Sequence, residues 1–168
     1  MGILGIFYND ILIVSLAAWL VAQVIKIIVN AVVNKTFDIE RLFGDGGMPS
    51  GHSATVTSMA LMTGFKLGFD SPLFGIAMLL AIIVMHDATG VRQEAGKHAR
   101  SIIEMTDAFN EYILEHDEKL KLQKLKTLVG HTPLQVLCGA GVGILVVVLY
   151  LLITKDYSTL ISFVPTMM

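Results

Sequence analysis

The sequence predicts an all-α fold, an integral membrane bundle of helices, and three observations carry that prediction. Hydrophobic residues make up 54% of the 168 residues and mean hydropathy is +0.71, more than a soluble domain of this size carries. Four segments approach the roughly 20 mostly apolar residues that a bilayer crossing needs. A single polar stretch, 92–130, interrupts them, and its apolar residues recur at helical spacing. The expected architecture is one domain, residues 1–168, with about four transmembrane helices and one amphipathic helix on the cytoplasmic side.

The first span runs from about Asp10 to Val33, preceded by an interfacial stretch from Ile3. The second runs from about Gly51 to Phe69 and is the most polar, diluted by Ser, Thr, Gly and Lys66. Small residues of that kind suit packing against other helices better than contact with lipid. The third runs from about Pro72 to Thr89 and the fourth from about Pro133 to Ile153. Gly139 and Gly143 form a small-xxx-small pair in the fourth, which suits close helix contact within one subunit or across a dimer. In the polar stretch Ala95, Ala99, Ile102, Met105 or Thr106, Phe109 and Ile113 form one helical stripe. It fits a helix lying on the membrane or packed across the bundle. Lys119, Lys121, Lys124 and Lys126 follow as a solvated face near anionic lipid.

Charge and cysteine content narrow the rest. The net charge of −2 and the lack of a basic stripe argue against nucleic acid as a partner. Cys138 is the only cysteine, so no internal disulfide forms. The N-terminus lacks the basic start of a secretory signal and reads as a retained membrane helix. Four spans place the loop 34–49 and the stretch 91–132 on one side, together with most of the Lys and Arg. The positive-inside rule assigns that side to the cytoplasm of a multi-pass protein of the plasma membrane.

That topology gathers chemistry at one membrane face. Pro49-Ser50-Gly51-His52 enters the second span, where Pro fits a first helical turn. Backbone N–H groups at a helix start attract phosphate. Asp87 and Arg92 lie where the third span ends, His131 where the fourth begins, and Lys26 about two turns from the end of the first. Cleaving a phosphate ester needs positive charge on the oxygens, a nucleophile for phosphorus and an acid for the leaving oxygen. Lys26 and Arg92 supply charge; His52 and His131 divide the other two roles. Each also has a plainer reading. Lys26 could snorkel to the interface, Arg92 could anchor a span end, and His131 could be an interfacial histidine. His86, with His52, His131 and Asp87, raises a metal question that spacing alone supports weakly.

These residues resemble a known superfamily. Pro49-Ser50-Gly51-His52 is similar to the central motif of the type-2 phosphatidic acid phosphatases and vanadium-dependent haloperoxidases. Gly130-His131-Thr132-Pro133-Leu134-Gln135-Val136-Leu137-Cys138-Gly139 resembles the end of their third motif. Asp87-Ala88-Thr89-Gly90-Val91-Arg92 resembles a divergent bacterial and plant branch. The resemblance covers about 22–143 and implies roles. His131 would be the nucleophile and form a phosphohistidine, His52 would protonate the leaving group, and Lys26, Arg92, Ser50 and the Gly51 N–H would hold the phosphate. No metal or other cofactor would be needed.

The sequence departs from that pattern in three places. Arg92 is separated from His131 by the whole polar stretch. Gln135 stands where an aspartate usually orients the nucleophilic histidine, and Asp87 is an alternative source of negative charge. No Arg-Pro follows Lys26 at seven residues, and Arg41 is a stand-in from the loop. The expected activity is a lipid phosphate or diphosphate phosphatase, acting on a prenyl or glycerolipid substrate whose tail stays in the bilayer. The alternative is a non-catalytic phospholipid-headgroup binder or lipid-transport component that keeps the phosphate site. The superfamily generally uses more core helices than four. A homodimer, or the polar stretch as a fifth helix, would complete the bundle.

Overall fold

A computed structural model describes residues 3–35, 47–112 and 130–154, and every described element is helical. A short 3-10 turn, Ile3–Tyr8, leads into α1 (Asp10–Asn34). Then come α2 (Gly51–Leu67), α3 (Pro72–Thr89), α4 (Val91–Tyr112) and α5 (Pro133–Thr154). The stretch read as one polar excursion is described as helix through Tyr112. Arg41, His116, the four lysines from Lys119 to Lys126 and Lys155 lie outside the described residues.

Local chemistry sets the helix ends. Asn9 caps α1 by accepting from the Leu12 N–H at 3.1 Å. Ser71 caps α3 by accepting from the Phe74 N–H, and Pro72 occupies the first turn, where no N–H is needed. At α2 the expectation for proline is corrected. Ser50 is the cap and Gly51 the first helical residue, so Pro49 stands outside the helix. Ser50 wins the position because its hydroxyl accepts from the Ser53 N–H, which an imino acid cannot do.

Among the described residues three helices are long and apolar enough to cross a membrane by length and composition: α1, the segment that starts with α3, and α5. The second expected span does not meet that standard alone. At 17 residues α2 is about 25 Å long, and Ser, Thr and Gly fill its sides. It tolerates this because it is central, packed against α1, α3 and α5. Lipid-facing area is therefore supplied by its neighbours.

The bundle is built from small residues inside and large ones outside. Ala18 and Ala22 of α1 meet Ala54 of α2, and Ala60 of α2 meets Ala77 and Ala81 of α3. Outward-facing Leu20, Ile28, Leu79, Ile83, Leu137 and Ile153 are each more than half exposed. Ser15, Gln23, Lys26, Asn30, Ser53 and Ser58 are buried instead. Apolar exteriors around a polar interior belong in lipid, where helix association depends on close packing rather than on excluding water. At the far end Lys66 of α2 pairs with Asp10 of α1 at 2.8 Å, so these helices are antiparallel. Val14, Met62, Val147 and Leu151 close the core nearby.

The glycine pair of α5 packs within the subunit. A Cβ on Gly143 would fall 2.6 Å from the Ala54 carbonyl oxygen, and one on Gly139 would land on that of Ser50. α5 therefore runs directly against the first turns of α2. By contrast, α4 packs only against α3 among the described helices, one residue after α3 ends.

Candidate active site

The start of α2 lies beside the start of α5, and the Ser50 N–H donates to the Gln135 carbonyl oxygen at 3.0 Å. The same end receives the C-terminus of α3, where the His131 N–H donates to the Ala88 carbonyl oxygen at 2.9 Å. Helix ends from three parts of the chain are thus tied by backbone bonds. A cavity of about 240 Å3 opens between them. His52, Asp87, Arg92 and His131 supply its polar lining, and Ile83 and Val84 its apolar wall.

The two imidazoles face this cavity with ring centroids 6.5 Å apart and planes tilted by 57°. His131 is buried, at 4% exposure, whereas His52 is exposed. Gln135 orients His131. The Thr132 N–H donates to Gln135 Oε1 at 3.0 Å, which identifies that atom as oxygen. His131 Nδ1 lies 3.3 Å from the same oxygen and so carries the ring proton. Nε2 is then the unprotonated, nucleophilic nitrogen of the neutral ring. Thr132, Pro133 and Gln135 also form a capping box on α5, with Thr132 Oγ1 accepting from the Gln135 N–H at 3.4 Å. One glutamine side chain therefore caps the helix and sets the tautomer of the histidine before it. The Thr-Pro-Leu-Gln spacing carries that signal in the sequence.

Arg92 reaches the site across the elbow between α3 and α4. Its Nε donates to Asp87 Oδ2 at 2.7 Å, with both side chains partly exposed. This pairing fixes the guanidinium and leaves its terminal amino groups for an anion. Asp87 is thus engaged with the arginine, while Gln135 contacts the histidine ring. Gly130, to which the sequence reading gave no role beyond opening the motif, is what brings the two halves together. With φ +85°, it presses on the first turn of α4, and a Cβ would fall 2.6 Å from the Arg92 carbonyl carbon. Only glycine combines that conformation with that approach.

Three expected phosphate ligands do not line the cavity. Ser50 is fully buried, its oxygen accepting from the Ser53 N–H at 3.3 Å and the Ser53 hydroxyl at 3.0 Å. Gly51 is the first residue of α2, held against Trp19 of α1. Lys26 is buried at 4% exposure, and its methylenes pass within 3.4 Å of where a Cβ on Gly47 would sit. It lies under the loop that enters α2, inside the bundle. His86 is exposed and outside the cavity lining. Among the described residues no three His, Cys, Asp or Glu side chains gather in a metal-binding group.

Fold and site together define a multi-pass helical membrane protein with a paired-histidine, arginine-bearing cavity at one end of its bundle. The chain belongs to the divergent PAP2 family, whose pattern it matches over residues 7–146. It is also 41% identical over 143 residues to a Bacillus subtilis (strain 168) protein named "Uncharacterized membrane protein YuiD", covering 82% of this chain and 90% of that one. No solved structure matches.

Proposed function

We propose that the protein is a lipid phosphate or diphosphate phosphatase working through a phosphohistidine. The observation that carries this reading is the paired imidazoles, one with its tautomer set by Gln135, in a cavity that also holds Arg92. His131 Nε2 attacks phosphorus, and the bond to the leaving oxygen breaks. His52, protonated at the start, gives its proton to that oxygen. Water then attacks phosphorus and the phosphorus–Nε2 bond breaks while His52 takes the water's proton, which releases phosphate and restores His131. Arg92 and the His52 amide meet the phosphoryl oxygens, with Lys26 supplying charge from beneath the loop. Ser50 serves the site by capping the helix end that presents that amide.

The substrate class follows from size and place. The cavity has room for about eight waters' worth of volume, enough for a phosphate or diphosphate and little of a lipid chain. Ile83 belongs both to the cavity wall and, at 63% exposure, to the outer face of α3. A tail attached to the bound phosphate would leave along that face into lipid. In this reading the site faces the cytoplasm at the plasma membrane. The test is phosphate release by purified protein in detergent with excess chelator, across prenyl phosphates, prenyl diphosphates and phosphatidic acids. Release from at least one class is the expected result. Binding without release from any of them would favour a non-catalytic headgroup binder, the reading that the amide at Gln135 in place of a carboxylate supports.

Gln135 gives a sharper prediction. Gln135→Leu should lower phosphate release by roughly 10²-fold or more, because the ring proton is no longer held on Nδ1. It should also destabilise the protein by about 1 kcal/mol through loss of the cap. Gln135→Glu should keep the cap and match or exceed the wild-type rate, since a carboxylate also stabilises the imidazolium. Steady-state release beside thermal unfolding in detergent checks both.

A further inference from the structure

Helix α4 leaves one face uncovered. At 3.6 residues per turn, Val91, Ala95, His98, Ile102, Met105 and Phe109 fall within about 80° of its circumference, a stripe about 27 Å long. All six are exposed, Val91 at 70% and Met105 at 72%. Five of them are apolar. The charges stand apart from the stripe. Lys97, Arg100, Glu104 and Asp107 project from the opposite half of the helix, and Glu94 on the flank is drawn to Lys97 at 2.7 Å. A helix with faces this different needs an apolar surface beside it.

The bundle does not supply that surface, since among the described helices α4 packs only against α3. Nor does α4 cross the membrane itself, because its charged face would enter the hydrocarbon. Its starting point decides what lies beside it. α3, the apolar part of the third crossing segment, ends at Thr89, and Val91 opens α4. The stripe therefore begins at the bilayer boundary, two turns beyond Ile82 and Ile83, which α3 turns outward to lipid at 52% and 63% exposure. It carries that lipid-facing exterior onto the next helix. Between 91 and 109 three basic residues, Arg92, Lys97 and Arg100, balance three acidic ones, Glu94, Glu104 and Asp107. Attraction to anionic lipid is therefore weak, and burial of the stripe has to hold the helix.

We propose that α4 is seated in the bilayer interface with this stripe turned to the acyl chains, and that the seat fixes the depth at which Arg92 works. The partner is a neutral phospholipid surface. Arg92 lies in the first turn of α4, on the flank of the stripe, and lines the cavity. Its Nε is tied to Asp87 of α3 across the elbow, so a tilt of α4 would pull on the guanidinium. A helix held at the boundary keeps that guanidinium level with lipid phosphates. The seat stands on the described fold alone, and its effect on Arg92 rests on the phosphatase reading.

The experiment places the whole chain in phosphatidylcholine nanodiscs, with Cys138→Ala as background. Ile102→Cys, Met105→Cys, Arg100→Cys and Glu104→Cys, made one at a time, each carry a nitroxide label. Collisions with a water-soluble nickel chelate should be largely lost at 102 and 105 and kept at 100 and 104. Collisions with oxygen should follow the opposite order. Met105→Asp combined with Phe109→Asp should restore nickel access at 102 and leave the unfolding midpoint unchanged, since both side chains point away from the described bundle. Equal nickel access at all four positions would overturn the seat. So would exclusion of both reagents at 102 and 105, the sign of a second copy or another protein, and so would protection that appears only after anionic lipid is added. Phosphate release from farnesyl phosphate should fall on the order of tenfold in the double variant, as Arg92 loses its placement. Undiminished release from an unseated helix would overturn the effect on Arg92. Wild type releasing no phosphate would sink the phosphatase reading alone. The labels then still decide the seat, and inorganic phosphate binding to wild type and double variant decides the effect on Arg92, with the same loss expected.

Discussion

Phosphate release should fall on the order of 10⁴-fold or more in His131→Ala, while lipid phosphate still binds. The nucleophile supplies the covalent route, and no neighbouring group replaces it, because His52 is placed as the proton donor. The fold should survive. The His131 backbone N–H keeps its bond to Ala88, and Gln135 Oε1 keeps its donor from Thr132. Both bonds outlast the loss of the ring, and the stability cost should stay near 1–2 kcal/mol. Release measured under chelator, with labelled-lipid binding and thermal unfolding on the same preparation, separates these effects. Release at the wild-type rate by a folded His131→Ala protein would place the nucleophile elsewhere and end the phosphohistidine scheme.

Gly139→Ala should disrupt both the bundle and the site, whereas Gly141→Ala, two residues along, should do neither. The methyl group at 139 would land on the Ser50 carbonyl oxygen and press on Ser53 Cβ at 3.0 Å. That obstacle is backbone in the first turn of the central helix, so no side-chain rotation relieves it. α5 must back away from α2, which strains the Ser50 N–H bond to the Gln135 carbonyl and parts His131 from His52. Overpacking of this kind typically costs 1–3 kcal/mol, and about 3 kcal/mol is expected here. At Gly141 nothing lies within 4 Å of the added carbon, which points out of the bundle. Unfolding midpoints and phosphate release of the two variants give the comparison. An unfolding midpoint in Gly139→Ala as high as in Gly141→Ala would show that α5 and α2 are not packed as described.

Much of this site could be read along the chain, and the reasons are local. α3 begins at Pro72 and ends at Thr89 as expected, because an apolar run bounded by Ser-Pro and Gly marks both ends. The Gly139/Gly143 spacing signalled a close helix contact, although only the fold shows that the partner is α2 of the same subunit. His52, Asp87, Arg92 and His131 were grouped by topology and do share one cavity. Gln135 looked like a departure from a pattern until the capping box showed its two bonds. Gln23, buried in α1 with its Oε1 lacking a hydrogen-bond partner, was missed, and Gly130 was read only as the start of a motif. Glutamine in an apolar helix and glycine before a histidine are unremarkable until one knows what packs against them.

Helix positions, the membrane setting and the roster of reactive side chains were already written in residue order, since hydropathy and capping act over a few neighbours. Which hydroxyl is spent on a cap, which amide orients an imidazole and which acceptor is stranded depend on contacts between segments some 80 residues apart. Ser50 and Gln135 meet only because glycine at 139 lets two backbones touch. That closeness is a property of packed helices, and no local pattern encodes it.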